Sequence, residues 1–260
     1  MSQDGNQNDK SLVGKIAIVT GGNGGIGLGI AQGLASEGAT VTIAARDKNK
    51  NKEALSLIKR TNQDCDSFCV NVNNKDSLRK LVDFVMEAFG RIDILVNNAG
   101  INRRAAEPHL LSSDDWNSVI NTNLNSVHDL TSMVFPCMKS NLSGKIINIG
   151  SMMSIFGSGY APAYAASKGG LVQYTKSCAV SWAKYNVQVN AILPGWIVTD
   201  LTDQLKKDSP GRYAEIVKRT PAQRWGVPED VAGTAVFLSS PLSDFITGVS
   251  IPVDGGYSVF

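Results

Sequence analysis

The sequence is poor in the residues that hold metals and cross-link chains. Its two histidines, His109 and His128, stand apart, and its four cysteines (Cys65, Cys69, Cys137 and Cys178) include no Cys-x-x-Cys pair. This argues against a metal site and against a disulfide framework. Reduced, buried thiols of a cytoplasmic protein are the expectation. Charge is sparse and balanced: 18% of residues are charged, the net charge is +2, and the basic residues are scattered rather than blocked. That pattern excludes a nucleic-acid-binding stripe and assigns the lysine-rich stretch Lys48–Lys52 to a solvated helix start. No apolar run approaches the roughly 18 residues a membrane helix needs. Met1–Lys10 is polar without an apolar centre, so it reads as a loose tail rather than a signal peptide. Neither nucleic acid nor membrane is an expected partner.

What the chain does have is regular alternation. Short β-branched runs at Ile16–Thr20, Val41–Ala45, Ser67–Val70, Ile92–Val96, Lys145–Ile149, Val187–Leu193 and Val249–Val253 are separated by segments of helical length. Runs of this length without strict polar alternation predict strands buried on both faces. The expected fold is therefore α/β: a doubly wound, seven-stranded parallel sheet flanked by helices on both faces. At 260 residues the chain fits a single domain, residues 11–260, behind the tail at 1–10. Right-handed crossovers put every strand's C-terminal end on one edge, where ligands bind. Trp196–Val227 lacks strand character, carries Ser-Pro-Gly at 209–211 and is a candidate lid.

The first run leads directly into Thr20-Gly-Gly-Asn-Gly-Gly-Ile-Gly27 and then an apolar helical pattern through Leu28, Ile30, Ala31, Leu34 and Ala35. Glycines between a strand and a helix let backbone approach a pyrophosphate at the helix N-terminus, so a dinucleotide is expected here. Two registers satisfy the spacing: Gly22, Gly24 and Gly27, or Gly21, Gly25 and Gly27. After the second run, where an acid would hold adenosine ribose hydroxyls and an arginine would accept a 2′-phosphate, Arg46 follows Ala45. Asp47 reads better as a helix N-cap. The segment favours NADP, with NAD the alternative.

Further along, Tyr164 and Lys168 are spaced i, i+4 on a predicted helix and so share a face. A phenol is a poor acid or base near neutrality unless a neighbouring cation stabilises its anion, so the pair is a candidate proton-transfer centre. Trp116, Val119, Ile120, Leu124 and Val127 have core spacing, and Asn123 among them is disfavoured by helix propensity and needs a reason. Arg103 and Arg104 lie on the binding edge, where guanidinium groups invite an anionic substrate.

These segments together resemble the short-chain dehydrogenases/reductases over nearly the whole chain beyond the tail. The resemblance rests on Thr20-Gly-x-x-x-Gly-Ile-Gly27, Asn97-Asn-Ala-Gly100, Asn123, Ser151, Tyr164-x-x-x-Lys168, Pro194-Gly195 with Thr199, and Asp254-Gly-Gly256. It implies a Rossmann-type fold and an NAD(P)-dependent oxidoreductase. In that family Tyr164 would be the acid/base and Ser151 would polarise the carbonyl or hydroxyl. Lys168 would bind the nicotinamide ribose and lower the tyrosine pKa, and Asn123 would hold a relay water. Gly21, Asn23, Gly25, Ile26 and Gly27 would line the pyrophosphate, Asn98, Ala99 and Gly100 the adenosine ribose side, and Ile197 and Thr199 would hold the carboxamide, with Pro194 and Gly195 also at the cofactor. Asn71-Val72 replaces the family's Asp-Val at the adenine, and the glycine segment lacks the basic residue some NADP-binding members carry, leaving Arg46 as the phosphate partner. A homotetramer is also implied, with the helices of Asn123 and Tyr164 pairing across subunits and Asp254–Phe260 at another interface.

Asn98-Ala-Gly-Ile-Asn-Arg-Arg104 and Arg219-Thr-Pro-Ala-Gln-Arg-Trp-Gly-Val-Pro-Glu-Asp230 resemble the gluconate 5-dehydrogenase and 2-deoxygluconate 3-dehydrogenase branch. The second passage also fits a plain hinge and helix start, with Pro228 in the first turn and Arg224 in a surface ion pair. The expected substrate is a secondary alcohol or ketone of a sugar acid, met by Arg103 or Arg104, Ser151, Met153 and Trp196. The alternative is a 3-oxoacyl carrier-protein or neutral ketone reductase, in which Met152, Met153, Phe156 and Trp196 would matter more and Lys206, Lys207 and Arg212 would face a carrier. A non-catalytic dinucleotide sensor is the remote alternative.

Overall fold

Strand β1 (Ile16–Thr20) is wholly buried because its residues feed two hydrophobic layers at once, Ala17 and Val19 on one side and Ile16 and Ile18 on the other. The computed structural model describes residues 10–199, 202 and 210–260. The expected tail up to residue 9, much of the lid's first half and the lysines Lys206 and Lys207 lie outside the described residues.

After β1 come α1 (Gly25–Ser36), β2 (Thr40–Ala45), α2 (Lys48–Ile58), β3 (Asp66–Cys69), α3 (Lys75–Phe89) and β4 (Ile94–Asn97). The second half holds α4 (Ser113–Ile120), α5 (Ser126–Ser140), β5 (Gly144–Ile149), α6 (Pro162–Trp182), β6 (Val187–Pro194), α7 (Pro210–Arg219), α8 (Pro228–Ser239) and β7 (Ser250–Val253). The strands form one parallel sheet in the order β3-β2-β1-β4-β5-β6-β7. The sheet order reverses between β1 and β4, so the crevice beyond their C-terminal ends is the place where this architecture binds ligands.

One face of the sheet is covered by α1, α2 and α8 through residues such as Leu34, Ile58 and Leu238, and the other by α3, α5 and α6 through Leu81, Leu130 and Cys178. Each such leucine or isoleucine contributes about 1.5–3 kcal/mol by leaving water. Local chemistry sets the helix starts: Asp47 Oδ1 accepts from the Asn49 and Lys50 N–H groups, and Pro162 and Pro228 occupy first turns.

Every expected strand is present, with ends shifted by a residue or two. The fourth starts at Ile94 rather than Ile92, because Asp93 serves as a staple: it accepts from the Ile16 N–H at 2.9 Å and pairs with Arg91. Two expectations about burial are corrected. The four cysteines are unpaired, but Cys69 is exposed and Cys137 only half-buried, so buried thiols describe Cys65 and Cys178 alone. Of the apolar stripe, Val119 and Val127 are buried whereas Trp116 is 40% exposed. Among the described residues, no helix is long and apolar enough to cross a membrane, and no group of three or more His, Cys, Asp or Glu side chains could hold a metal.

Candidate active site

The turn after β1 is tied to the end of β4 by a closed set of hydrogen bonds. The Thr20 hydroxyl accepts from the N–H groups of Asn98 (3.0 Å) and Ala99 (3.1 Å) and donates to the Val96 carbonyl (3.3 Å). The Asn98 amide donates to the carbonyls of Thr20 (2.9 Å) and Gly21 (3.2 Å). This packing leaves Gly27 no room for a side chain: a Cβ there would lie 2.2 Å from the Gly21 oxygen and 2.4 Å from Asn98 Nδ2. Gly21 and Gly25 have φ of 62° and 50°, the left-handed region that favours glycine, whereas a Cβ on Gly24 would meet nothing within 4 Å. Gly22 is also tight, a Cβ there lying 2.9 Å from the Val19 oxygen, so of the glycines in the two registers Gly21, Gly22, Gly25 and Gly27 are constrained and Gly24 is not.

Three adjoining hollows run along the C-terminal edge. The first, of about 300 Å³, is lined by Gly21, Asn23, Arg46, Lys50, Asn71, Val72 and Ala99; the second, of about 480 Å³, by the glycine turn with Ile26, Lys50, Asn98, Gly100 and Thr199. The third, of about 280 Å³, is lined by Ser151, Met153, Tyr164, Lys168, Pro194, Gly195, Trp196 and Ile197 among others. Shared residues make this one cleft: Gly21, Asn23, Lys50, Ala99 and Gly100 join the first two, and Ile26, Asn98, Gly100 and Thr199 the last two. A glycine-walled middle, cations Arg46 and Lys50 toward one end and titratable side chains at the other suit a nicotinamide dinucleotide.

At the third hollow, two residues past the end of β5, Ser151 caps a short turn by accepting from the Met153 N–H (3.1 Å), and its hydroxyl reaches the phenol of Tyr164. Tyr164 and Lys168 lie one turn apart in α6, with Lys168 Nζ 5.6 Å from the Tyr164 ring centroid. The Lys168 ammonium donates to the Ile149 carbonyl at 2.6 Å and is buried, which lowers its pKa to about 8. Burial also pushes the Tyr164 phenol above its ordinary value, with the Ser151 hydrogen bond pulling the other way. Lys168 stays beside that ring. In this structure its charge is turned to a backbone carbonyl, and desolvation is the dominant effect on the phenol.

Asn123 lies in a π turn, Asn121–Asn125, between α4 and α5. Its amide pairs both ways with the Ile101 backbone, accepting from N–H at 2.8 Å and donating to C=O at 2.9 Å, and donates again to Ser167 Oγ at 3.1 Å. Both amide donors are thereby used, which is the reason for an asparagine inside a helical segment. A Cβ on Gly100 would meet Asn123 Oδ1 at 3.3 Å and Lys168 Nζ at 3.7 Å, so this glycine sits between the two.

The family model described as Enoyl-(Acyl carrier protein) reductase matches residues 21–258. The 2-dehydro-3-deoxy-D-gluconate 5-dehydrogenase of Escherichia coli (strain K12) is 41% identical over 249 residues, covering 95% of this chain and 96% of that protein. The chain belongs to the short-chain dehydrogenase/reductase family. A 3-oxoacyl-(acyl-carrier-protein) reductase of Thermotoga maritima is 39% identical over 249 residues, covering 94% of this chain and 98% of that one. A solved structure from Agrobacterium tumefaciens, described as a 2-deoxy-D-gluconate 3-dehydrogenase with bound NADP, superposes with a TM-score of 0.89 at 38% identity, covering 97% of this chain and all of that one.

As a short-chain dehydrogenase/reductase, the protein is an NAD(P)-dependent enzyme, and most of its expected site residues meet in one cleft. The exceptions are Asn123, which is buried and lines none of the three hollows, and Arg103, which turns away to Asp115 at 3.3 Å, whereas Arg104 lines the third hollow. Adjacent residues on an extended loop diverge, so only one of the pair faces the cleft. Asn71 Oδ1 already accepts from the Asn73 N–H at 3.1 Å, leaving one lone pair for an adenine. Arg224 forms a two-pronged pair with Asp230 (2.6 and 2.8 Å), which holds that carboxyl below its usual range.

Residues that sequence reasoning passed over also line the short-chain dehydrogenase/reductase cleft. Lys50, grouped with a solvated helix start, faces the first two hollows. Buried Asn51 donates to the carbonyls of Ala45 (3.0 Å) and Phe68 (3.3 Å) and accepts from Asn23 Nδ2 (2.8 Å), clamping the glycine turn to the ends of β2 and β3. An asparagine in a lysine-rich helix start was the only signal. Thr202 borders the third hollow and accepts from the Thr199 N–H at 2.7 Å.

Proposed function

We propose that this enzyme interconverts a secondary alcohol and a ketone on a polyhydroxy acid of the gluconate or 2-deoxygluconate type, with NADP preferred over NAD. The observation that carries the substrate class is Arg104, a guanidinium without an acidic partner among the described residues, on the wall of the hollow that holds Ser151 and Tyr164. Relatives named for sugar acids support it. The acyl-thioester alternative has less to rest on, since Lys206 and Lys207 lie outside the described residues and Arg212 is turned onto Tyr160. NADP preference rests on Arg46 and Lys50 beside the first hollow and on Asp47 being engaged as an N-cap.

When bound, the nicotinamide supplies the acceptor or donor of hydride. Gly21, Asn23, Gly25, Ile26 and Gly27 hold the pyrophosphate, Asn71, Val72, Asn98, Ala99 and Gly100 the adenosine end, and Lys168, Pro194, Gly195, Ile197 and Thr199 the nicotinamide end. Tyr164 moves the proton at the substrate oxygen, and with its pKa raised the phenol keeps its proton at neutral pH, ready for a carbonyl. Ser151 donates to the same oxygen and stabilises developing charge. Asn123 positions a relay water through its backbone, its side-chain donors being engaged. Met153 and Trp196 wall the substrate, and the segment from Trp196 to Val227 serves as a lid, closed at its base by Ile197 pairing with Gly226.

The proposal extends to a cytoplasmic homotetramer. Exposed Trp116 on α4 and Val180 on α6, the helix that carries Tyr164, suit one interface, and exposed Phe245, Val259 and Phe260 beside the edge strand β7 suit another. The test is initial rate with NADP and NAD across gluconate, 2-deoxygluconate, 5-ketogluconate, an acetoacetyl thioester and a neutral cyclic ketone. Selective turnover of the sugar acids is expected, with NADP the better cofactor and the preference lost in Arg46→Ala. Preference for the thioester or the neutral ketone would reject the substrate class.

A further inference from the structure

Two guanidinium groups converge on one ring at the substrate end of the cleft. Arg104, from the loop after β4, has its Cζ 5.6 Å from the Tyr160 ring centroid, and Arg212, from α7, has its Cζ 5.1 Å from the same centroid. Each is attracted by the ring, Arg104 on the wall of the third hollow and Arg212 just behind its lining, and two cations gathered at one ring suit an anion. Among the described residues neither arginine has a carboxylate partner, although nearby cations do: Arg103 pairs with Asp115 and Arg224 with Asp230. Tyr160 lines the third hollow together with Arg104, and its carbonyl accepts from the Ala105 N–H at 3.0 Å, which ties the two loops together. Helix α7 is held against the same wall by a ring stack, Tyr213 on Trp225 at 4.8 Å and Trp225 beside Trp196 at 5.3 Å.

A second, independent observation comes from the same hollow. Asn102 Oδ1, Ser158 Oγ and Trp196 Nε1 are buried atoms without a hydrogen-bond partner among the described residues, and all three residues line it. Buried polar atoms are costly to leave unpaired, so a trio comprising an acceptor, a hydroxyl and a donor in one hollow calls for a ligand bearing several hydroxyls.

We propose that Arg212 joins Arg104 in a two-cation clamp for the substrate's carboxylate, with Tyr160 holding both guanidinium groups, while Asn102, Ser158 and Trp196 take its hydroxyls. This rests on the polyhydroxy-acid reading and adds to it Arg212, Tyr160, Asn102 and Ser158 as specificity-determining residues. The lid helix thus supplies one half of the recognition and the β4 loop the other.

The test titrates gluconate, 2-deoxygluconate and 5-ketogluconate into the full-length protein saturated with NADP. Sorbitol, which carries a hydroxymethyl group in place of the carboxylate, serves as the neutral control. The wild type should bind a sugar acid at least about tenfold more tightly than sorbitol, Arg212→Ala should remove most of that difference, and Arg212→Lys should restore part of it. Ser158→Ala should weaken acids and sorbitol alike. Unchanged acid binding in Arg212→Ala, or equal loss for acids and sorbitol, overturns the clamp. Turnover measured in parallel separates the two claims. Acid binding that depends on Arg212 without turnover keeps the clamp and rejects the proposed reaction, turnover independent of Arg212 does the reverse, and a wild type that binds no sugar acid rejects both.

Discussion

The two ends of the cleft are built on opposite terms. At the glycine turn nearly every polar group is already paired: Thr20, Asn98, Asn23 and Asn51 form a closed set with backbone carbonyls and each other. At the other end Asn102, Ser158 and Trp196 keep buried atoms unpaired among the described residues, Lys168 is a buried ammonium and two arginines share one ring. A closed network rigidifies a surface that recognises its ligand by shape and backbone, whereas an open one stores unsatisfied polarity for a ligand to complete. The difference explains how one fold binds the same dinucleotide in many enzymes and still admits different substrates.

The sharpest break in that comparison is Tyr164→Phe. It removes one hydroxyl from the open end, so turnover should fall on the order of 10³-fold while dinucleotide affinity, set at the closed end, stays within a factor of about two. Rates and fluorescence titration of NADPH check both, and retained activity would end the acid/base assignment.

Next in size is the buried ammonium. Burial lowers Lys168 from 10.5 to about 8. Below about pH 8 the folded state carries a desolvated cation that the unfolded chain would hold in water, and the penalty is fully present. Between about pH 8 and 10.5 the unfolded state binds more protons than the folded one, so stability rises with pH, by up to roughly 3 kcal/mol. Urea melts of the dinucleotide-free protein across that window should show this rise in the wild type and lose it in Lys168→Met, and parallel curves would place the charge in water instead.

The smallest expected effect probes the closed end. In Gly27→Ala the new methyl meets the Gly21 carbonyl and Asn98 amide, which should cost about 2 kcal/mol, or roughly 4–8 °C in Tm, together with loss of dinucleotide binding. A Gly27→Ala variant of wild-type stability that still binds NADP would show the turn to be less closed than its hydrogen bonds imply.

Legibility in the sequence followed the same division. The glycine turn, Ser151, Tyr164 and Lys168 could be found because their spacing is local: a strand end, a turn and one helical step. Arg103 and Arg104 could not be told apart, since which of two adjacent arginines faces the cleft depends on Asp115, a residue of α4. Lys50 and Asn51 looked like a solvated helix start until the sheet brought α2 beside the glycine turn. The surroundings of the Tyr164–Lys168 pair were not legible either. Helix periodicity puts the two on one face, but only packing shows that the ammonium is turned to Ile149 and that burial raises the phenol.

By itself, then, the sequence determined the alternating architecture, the glycine turn and the family, and pointed to the proposed proton-transfer residues, because each is written in hydrophobic period or in short fixed spacings. Tertiary structure decided which arginines meet, which amides are already spent and which polar atoms wait unpaired. Those depend on contacts between segments far apart in the chain, as where Arg104 and Arg212 each approach Tyr160, and on the loss of water around them.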